Sequence, residues 1–225
     1  VAECTQAMLA TTGVNTSLGT ILLLAPLILC EHNLSRTIRS HLLQQDRAGI
    51  PLQDFVRDTD ADDCESVYRA IASCKPGGLG ISETMDVLGP PPESLLSAMQ
   101  NAAGRDDVAL QYCNGYREVA RYAQILSSSD FQGMQLLDAI RRLQIMILAE
   151  RIDSLIVRKC GPSIGLQVQS QAKEVLHSGP YGSELFESRW SAFDAFLRSD
   201  GNRRNPGTTA DLIAAALYVA SDRWI

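Results

Sequence analysis

Leu18-Gly19-Thr20-Ile21-Leu22-Leu23-Leu24-Ala25-Pro26-Leu27-Ile28-Leu29-Cys30 is apolar on every side of a helical wheel. A helix apolar all round is a buried one. With Gly19, Thr20 and Pro26 inside it, the run is also too short to span a membrane. It therefore predicts a helix at the centre of a helical protein. A second run of the same kind, Leu212 to Ala220, lies near the other end of the chain. Each is entered through small polar residues, Gly13-Val14-Asn15-Thr16-Ser17 before the first and Asn205-Pro206-Gly207-Thr208-Thr209-Ala210-Asp211 before the second. Ordinary N-capping accounts for some of these residues. Two such mouths with this many hydrogen-bonding groups also suit an anion, because helix N-termini carry unpaired N–H groups and the positive end of the helix dipole.

Helical spacing continues outward from these runs. It predicts helices over Ala2–Ala10, Leu34–Gln45, Ala61–Cys74, Glu93–Ala103, Asp106–Leu126, Gly133–Ala149, Pro162–His177, Ser183–Arg198 and Thr208–Arg223. Asn114 and Gly115 are poor helix formers and predict a kink or a close approach inside the long Asp106–Leu126 segment. Two-residue alternation is almost absent, and no composition shift marks a boundary. The fold class expected is all-α, one multi-helix domain over 1–225 with buried central helices. At 225 residues and 45% hydrophobic the chain can build its own core, and the low aromatic share of 6% favours packed helices over a β-sandwich. A net charge of −6 without a basic stripe argues against nucleic-acid binding. Cys4, Cys30, Cys64, Cys74, Cys113 and Cys160 form no CxxC pair, so they read as reduced, mostly core thiols of a cytoplasmic protein. The chain begins with Val1, partway into a helix, which suggests a missing upstream segment.

Several patterns fail on context. Gly161-Pro162-Ser163-Ile164-Gly165 matches a nucleophile elbow, but that motif needs a preceding strand. Asp58, Asp60, Asp62 and Asp63 lack the glycine and glutamate of a calcium loop and read as a helix cap. His32, His41 and His177 share no metal-ligand spacing and read as surface residues. What survives is a set of polar interruptions. These are the two mouths above, Lys75-Pro76-Gly77-Gly78-Leu79-Gly80 with Asp86-Val87, and Asp153-Ser154-Leu155-Ile156-Val157-Arg158-Lys159-Cys160-Gly161. Asp153 and Arg158 stand about 140° apart on a helix, so each is expected to serve a partner elsewhere. Asp86, Asp153 and Asp211 with Arg158 and the helix mouths form a set suited to magnesium and a polyphosphate, since Mg²⁺ usually takes one or two carboxylates plus phosphate oxygens.

Taken in order, Gly13-Val-Asn15-Thr16-x-x-Gly19, Pro76-Gly-Gly-Leu-Gly80 with Asp86-Val87, Gln111-Tyr-x-Asn-Gly115, Asp153-Ser-Leu-Ile-x-Arg158-x-x-Gly161 and Asn205-Pro-Gly-Thr-Thr-Ala-Asp211-Leu resemble the triphosphoribosyl-dephospho-CoA synthase family, and its archaeal-type branch most. The resemblance implies an all-α transferase that moves the triphosphoribosyl group of ATP onto the 2′-hydroxyl of 3′-dephospho-CoA and releases adenine. It implies Asp153 and Asp211 as catalytic groups, as general base or holding Mg²⁺, with Asp86 as a further metal or ribose contact. It implies Asn15, Thr16, Gly19, Gly77, Gly78, Arg158, Asn205, Thr208 and Thr209 as nucleotide and phosphate contacts. ATP and a dephospho-CoA-like acceptor are the expected partners, without nucleic acid or membrane, and a homodimer is compatible with this picture. Two departures stand out. The best-known branch has Asn-Thr-His-Lys-Gly where this chain has Asn15-Thr16-Ser17-Leu18-Gly19, and the family's upstream Lys-Pro-Gly segment is not in this sequence. A diverged enzyme acting on another cofactor-pathway substrate, and a non-catalytic nucleotide-binding helical module, remain as alternatives.

Overall fold

In the computed structural model, residues 1–34, 38–43, 50–75 and 84–221 are described. The all-α expectation holds: among the described residues there are helices and one short 3₁₀ turn, and no strand. The helices are α1 (Ala2–Thr12), α2 (Leu18–Leu34), α3 (Ile38–Leu43), α4 (Ile50–Arg57), α5 (Ala61–Cys74), α6 (Leu95–Ala102), α7 (Asp107–Asn114) and α8 (Arg117–Leu126). After the 3₁₀ turn Ser129–Phe131 come α9 (Leu136–Glu150), α10 (Ser154–Cys160), α11 (Pro162–Leu176), α12 (Glu184–Arg198) and α13 (Gly207–Val219). Of the expected helix Leu34–Gln45, Leu34 ends α2, α3 is the described part, and residues 35–37 and 44–49 lie outside the described residues.

The two apolar runs do sit at the centre. Leu22, Leu23, Leu27 and Cys30 of α2 pack in one core with Leu212, Ile213, Ala215, Ala216 and Val219 of α13 and with residues of α4, α5, α7 and α8. A second core lies between α9, α10, α11 and α12. α9 is the shared wall: Ala139, Leu143 and Ile147 face the first core, and Ile145, Leu148 and Ala149 the second. The acidic run after α4 is the expected cap, with Asp60 and Asp63 exchanging hydrogen bonds at the start of α5.

The long helix expected over Asp106–Leu126 is broken rather than kinked. Gly115 and Tyr116 both adopt left-handed backbone, at φ 71° and 62°. Glycine takes that conformation without penalty, but a buried tyrosine does not. The reason lies in α2. Pro26 has no N–H to offer the carbonyl of Leu22, which a helix would normally pair with residue 26. The Tyr112 hydroxyl donates to Leu22 O at 2.5 Å, and the Tyr116 hydroxyl donates to Leu23 O at 3.1 Å. The break turns Tyr116 so that both phenols reach the carbonyls beside Pro26 in α2. Glu118 stabilises the break by accepting from Gln111 Nε2 at 2.8 Å and Asn114 Nδ2 at 2.6 Å. Part of the Gln111–Gly115 motif is thereby explained as a structural clasp.

Cys30, Cys64 and Cys74 are buried, Cys113 and Cys160 half-buried and Cys4 exposed, and none of the six is in a disulfide. Among the described residues no helix is long and apolar enough to cross a membrane.

Candidate functional site

The two polar mouths meet. Gly19, in the first turn of α2, has the Asp211 carboxylate of α13 so close that Oδ2 would stand 2.1 Å from a Cβ at position 19. A side chain there would have to displace the Asp211 carboxylate. The Thr20 hydroxyl donates to Asp211 Oδ1 at 2.6 Å. Val108 of α7 lies 3.2 Å from the same Cβ position, which brings in a third helix start. The fourth is α10: Asp107 N–H donates to Ser154 Oγ at 3.2 Å, and that hydroxyl donates to Thr208 Oγ1 of α13 at 3.1 Å. The N-terminal turns of α2, α7, α10 and α13 thus converge on one polar joint. Gly207 presses on Leu155, where a Cβ would come within 2.5 Å of Cδ2, so α13 and α10 are locked at their starts.

Asp153 is the centre of that joint. Its Oδ1 accepts from the N–H groups of Leu155 at 2.9 Å and Ile156 at 3.0 Å, capping α10. Its Oδ2 accepts from Thr209 N at 2.7 Å and Thr209 Oγ1 at 2.8 Å, capping α13. Four donors occupy a carboxylate that is 3% exposed. Burial pushes its proton affinity up while the four donors oppose that. Asp106 likewise caps α7 by accepting from Val108 N at 2.9 Å and pairs with Arg158. Asp153 and Arg158, which cannot meet on α10, therefore each have a partner on another element. Arg158 Nε is buried without a hydrogen-bond partner.

Two further carboxyls flank this centre. Asp211 is pushed up to about 6, first by burial and then by the charges of Asp153 and Asp106, against the Thr20 donors. Asp107 is also pushed up to about 6, by burial and by Asp153, Asp106 and Glu118, against the pull of Arg151. Arg151, at the end of α9, pairs with Asp107 directly.

Of the expected site residues, Gly19, Asp153, Arg158, Thr208, Thr209 and Asp211 are brought to this joint. Thr208 and Thr209 are buried, and the bonds above tie both to α10. Asn15 stands at the mouth of α2, where its Oδ1 caps Leu18 N at 3.1 Å, and Thr16 is exposed beside it. Asn205 is exposed at the mouth of α13. Gly77 and Gly78 lie outside the described residues.

The expected metal trio Asp86, Asp153 and Asp211 does not assemble. Asp86 accepts from Leu88 N at 2.9 Å and lines a separate pocket of about 90 Å³ with Tyr68, Ala98, Met99 and Arg105, between α5 and α6. No group of three His, Cys, Asp or Glu among the described residues could hold a metal ion. Asp153 has no lone pair to spare. A cation at the joint would therefore rest on fewer than three protein carboxylates and on the ligand's own oxygens. The GxSxG pattern also lacks its context: Pro162 opens α11 directly after α10.

Sequence reasoning missed Thr20, Asp106, Asp107, Arg151 and Ser154 as site residues. The signal for two of them was present, an Asp-Asp pair set before a helix start. Arg151 stands two residues before Asp153, but nothing in the sequence points it at α7.

The profile of the CitG family, ATP:dephospho-CoA triphosphoribosyl transferase, matches residues 2–224. A crystal structure from Archaeoglobus fulgidus, assigned to a triphosphoribosyl-dephospho-CoA synthase, is similar with a TM-score of 0.64 and 21% identity, over 90% of this chain and 81% of that one. At that identity the likeness is one of fold. No curated protein matches the chain.

Proposed function

The chain belongs to the ATP:dephospho-CoA triphosphoribosyl transferase family, and we propose that the joint of four helix starts is where it performs that transfer. ATP is the donor and dephospho-CoA the acceptor. The reaction exchanges adenine for an acceptor hydroxyl at C1′ of the ATP ribose. Positive charge develops on the sugar as the bond to adenine stretches, as in glycoside chemistry. The site must hold a triphosphate, tolerate that cation and take a proton from the hydroxyl.

The observation that carries the reading is the contact of Asp211 with Gly19, which joins the two polar mouths. The triphosphate would lie across the starts of α2 and α13, against Asn15, Thr16 and Asn205, where N–H groups and helix dipoles favour anions. Arg158, paired with Asp106 at the joint, adds positive charge beside the phosphates. Asp211 suits a magnesium ion: one carboxylate, oriented by Thr20, whose desolvated charge a cation would offset. Bound there with the triphosphate, Mg²⁺ would neutralise phosphate charge. We place the enzyme in the cytoplasm with its nucleotide substrates, and its assembly as a homodimer belongs to the same reading.

The test is chromatographic detection of free adenine after incubation with ATP, Mg²⁺ and 3′-dephospho-CoA. Adenine that appears only with acceptor present is the expected result, and no adenine overturns the reading. Ser17 and Leu18, where the best-known branch has His and Lys, favour a second reading with a different acceptor. That reading expects adenine release only when another nucleotide-like acceptor replaces dephospho-CoA.

A further inference from the structure

We infer that Asp107 is the general base of the transfer and that Arg151 is its positioning residue. The inference rests on the site proposed above and names the group that takes the proton there. Of the carboxyls at the joint, Asp153 is filled by four donors, and Asp106 is divided between Val108 N–H and Arg158. Asp211 is engaged by Thr20 and is assigned above to the magnesium of the triphosphate. Asp107 remains. Its carboxylate is not needed to start α7, because Asp106 already caps that helix. Its side chain is 14% exposed, so a trace of surface is open to a substrate. Its backbone is pinned through Ser154 to Thr208, and its carboxylate is held by Arg151. A half-buried Asp–Arg pair is a poor device for stability, since desolvation offsets much of its attraction. A pinned carboxylate with one cationic neighbour is a good device for accepting a proton in a fixed place.

The charged groups facing Asp107 are Arg151 from the end of α9, Asp153 from the cap of α10, Asp106 from its own helix start and Glu118 from α8. Burial and the three acids outweigh the arginine, which leaves a base that is mostly ionised at neutral pH yet more basic than a surface aspartate. In the step, the acceptor hydroxyl oxygen bonds to C1′ of the ATP ribose as the C1′–N9 bond breaks. The hydroxyl proton passes to Asp107. Adenine departs with the bonding electron pair and takes a proton from water.

The experiment compares adenine release by wild type, Asp107→Asn, Asp107→Glu and Arg151→Gln across pH, alongside the thermal shift given by ATP and Mg²⁺. Asp107→Asn is expected to lose about 10²-fold or more in kcat, with KM values within a few-fold and the thermal shift kept. Asp107→Glu recovers part of the rate. Arg151→Gln keeps a reduced but measurable rate, and the acidic limb of its kcat/KM profile moves to higher pH, because loss of the cation makes Asp107 a stronger base. An Asp107→Asn rate within threefold of wild type overturns the inference alone, and so does an unmoved limb in Arg151→Gln. Loss of the thermal shift in Asp107→Asn makes the residue a binding group and also overturns it. If Asp107→Asn does not fold, the limb in Arg151→Gln decides. Wild type that releases no adenine overturns the site reading and this inference together.

Discussion

The Asp211 carboxylate occupies the space a side chain at Gly19 would fill: Oδ2 and Cγ stand 2.1 and 2.6 Å from that Cβ position. The two residues are far apart in sequence, and this contact brings two helix mouths into one site. Gly19→Ala should raise the intrinsic helix propensity of α2 by about 1 kcal/mol, yet it must push Asp211 aside or part α2 from α13. The expected outcome is lower stability in urea and about a 10²-fold loss of kcat/KM, the scale of a 1 Å misplacement in a catalytic site. A Gly19→Ala enzyme with full activity would show that the close approach has no part in catalysis.

Asp153 sits where chemistry was expected, and its bonds describe a structural post. A carboxylate holding Leu155, Ile156 and Thr209 through four donors ties α10 to α13. Asparagine has one oxygen, and its NH₂ would face N–H or O–H donors. Asp153→Asn should therefore cost about 3–5 kcal/mol, given that charged hydrogen bonds contribute roughly 1.5–3 kcal/mol each and are not additive. Chemical denaturation of Asp153→Asn and Asp153→Ala measures this directly. A fold of wild-type stability without turnover would return Asp153 to a chemical role.

How legible was this in the sequence? The apolar runs of α2 and α13 are unambiguous because a helix apolar on all sides has nowhere to go but the centre. α5 is found to the residue because Asp60 and Cys74 bracket a clear amphipathic pattern. The break at Asn114–Tyr116 was only half visible. Weak helix formers mark the place, but the partner that demands it is a carbonyl freed by Pro26 some ninety residues earlier. The polar joint was legible where caps stand beside apolar runs, as at Asp153 and Asp211. A residue's role was not legible where it depends on what the other side of a carboxylate touches. Asp153 reads as chemistry until Thr209 is seen to fill it, and Asp107 reads as a helix start until Arg151 is seen beside it.

Asp211 links function to stability through pH. An unfolded aspartate ionises near 4, and in the fold Asp211 is pushed up to about 6. Below about pH 4 both states hold the proton, so the group contributes nothing. Between about 4 and 6 the folded state holds a proton that the unfolded chain has lost, so stability falls as pH rises. Above that window the penalty is complete. Asp211→Asn removes it, and the variant should gain about 1–3 kcal/mol at pH 7.5 with no gain near pH 4. The same variant should lose adenine release and most of the thermal shift that Mg²⁺ and ATP give wild type. Melting curves at the two pH values, with and without ligand, check both halves. A destabilised variant at pH 7.5 would mean that the Thr20 contact outweighs the cost of burying the charge.

The tyrosine clasp on α2 makes the most separable prediction, because its cause can be removed independently. Tyr112 is fully buried and its hydroxyl serves Leu22 O, the carbonyl left without a donor by Pro26. Tyr112→Phe leaves that carbonyl unpaired in the core, at a cost of about 1–3 kcal/mol. In a Pro26→Ala background, the substituted residue supplies the missing N–H to Leu22, and the hydroxyl becomes dispensable. The same Tyr112→Phe change should then cost less than about 1 kcal/mol. A double-mutant cycle by urea denaturation gives the coupling, expected at about 1 kcal/mol or more. Equal costs in the two backgrounds would sink the account, and the left-handed turn at Gly115 and Tyr116 would need another cause. Tyr116, which serves Leu23 O one residue on, supplies the internal comparison. Residue 27 still offers Leu23 an N–H, so Tyr116→Phe should respond less to Pro26→Ala than Tyr112→Phe does.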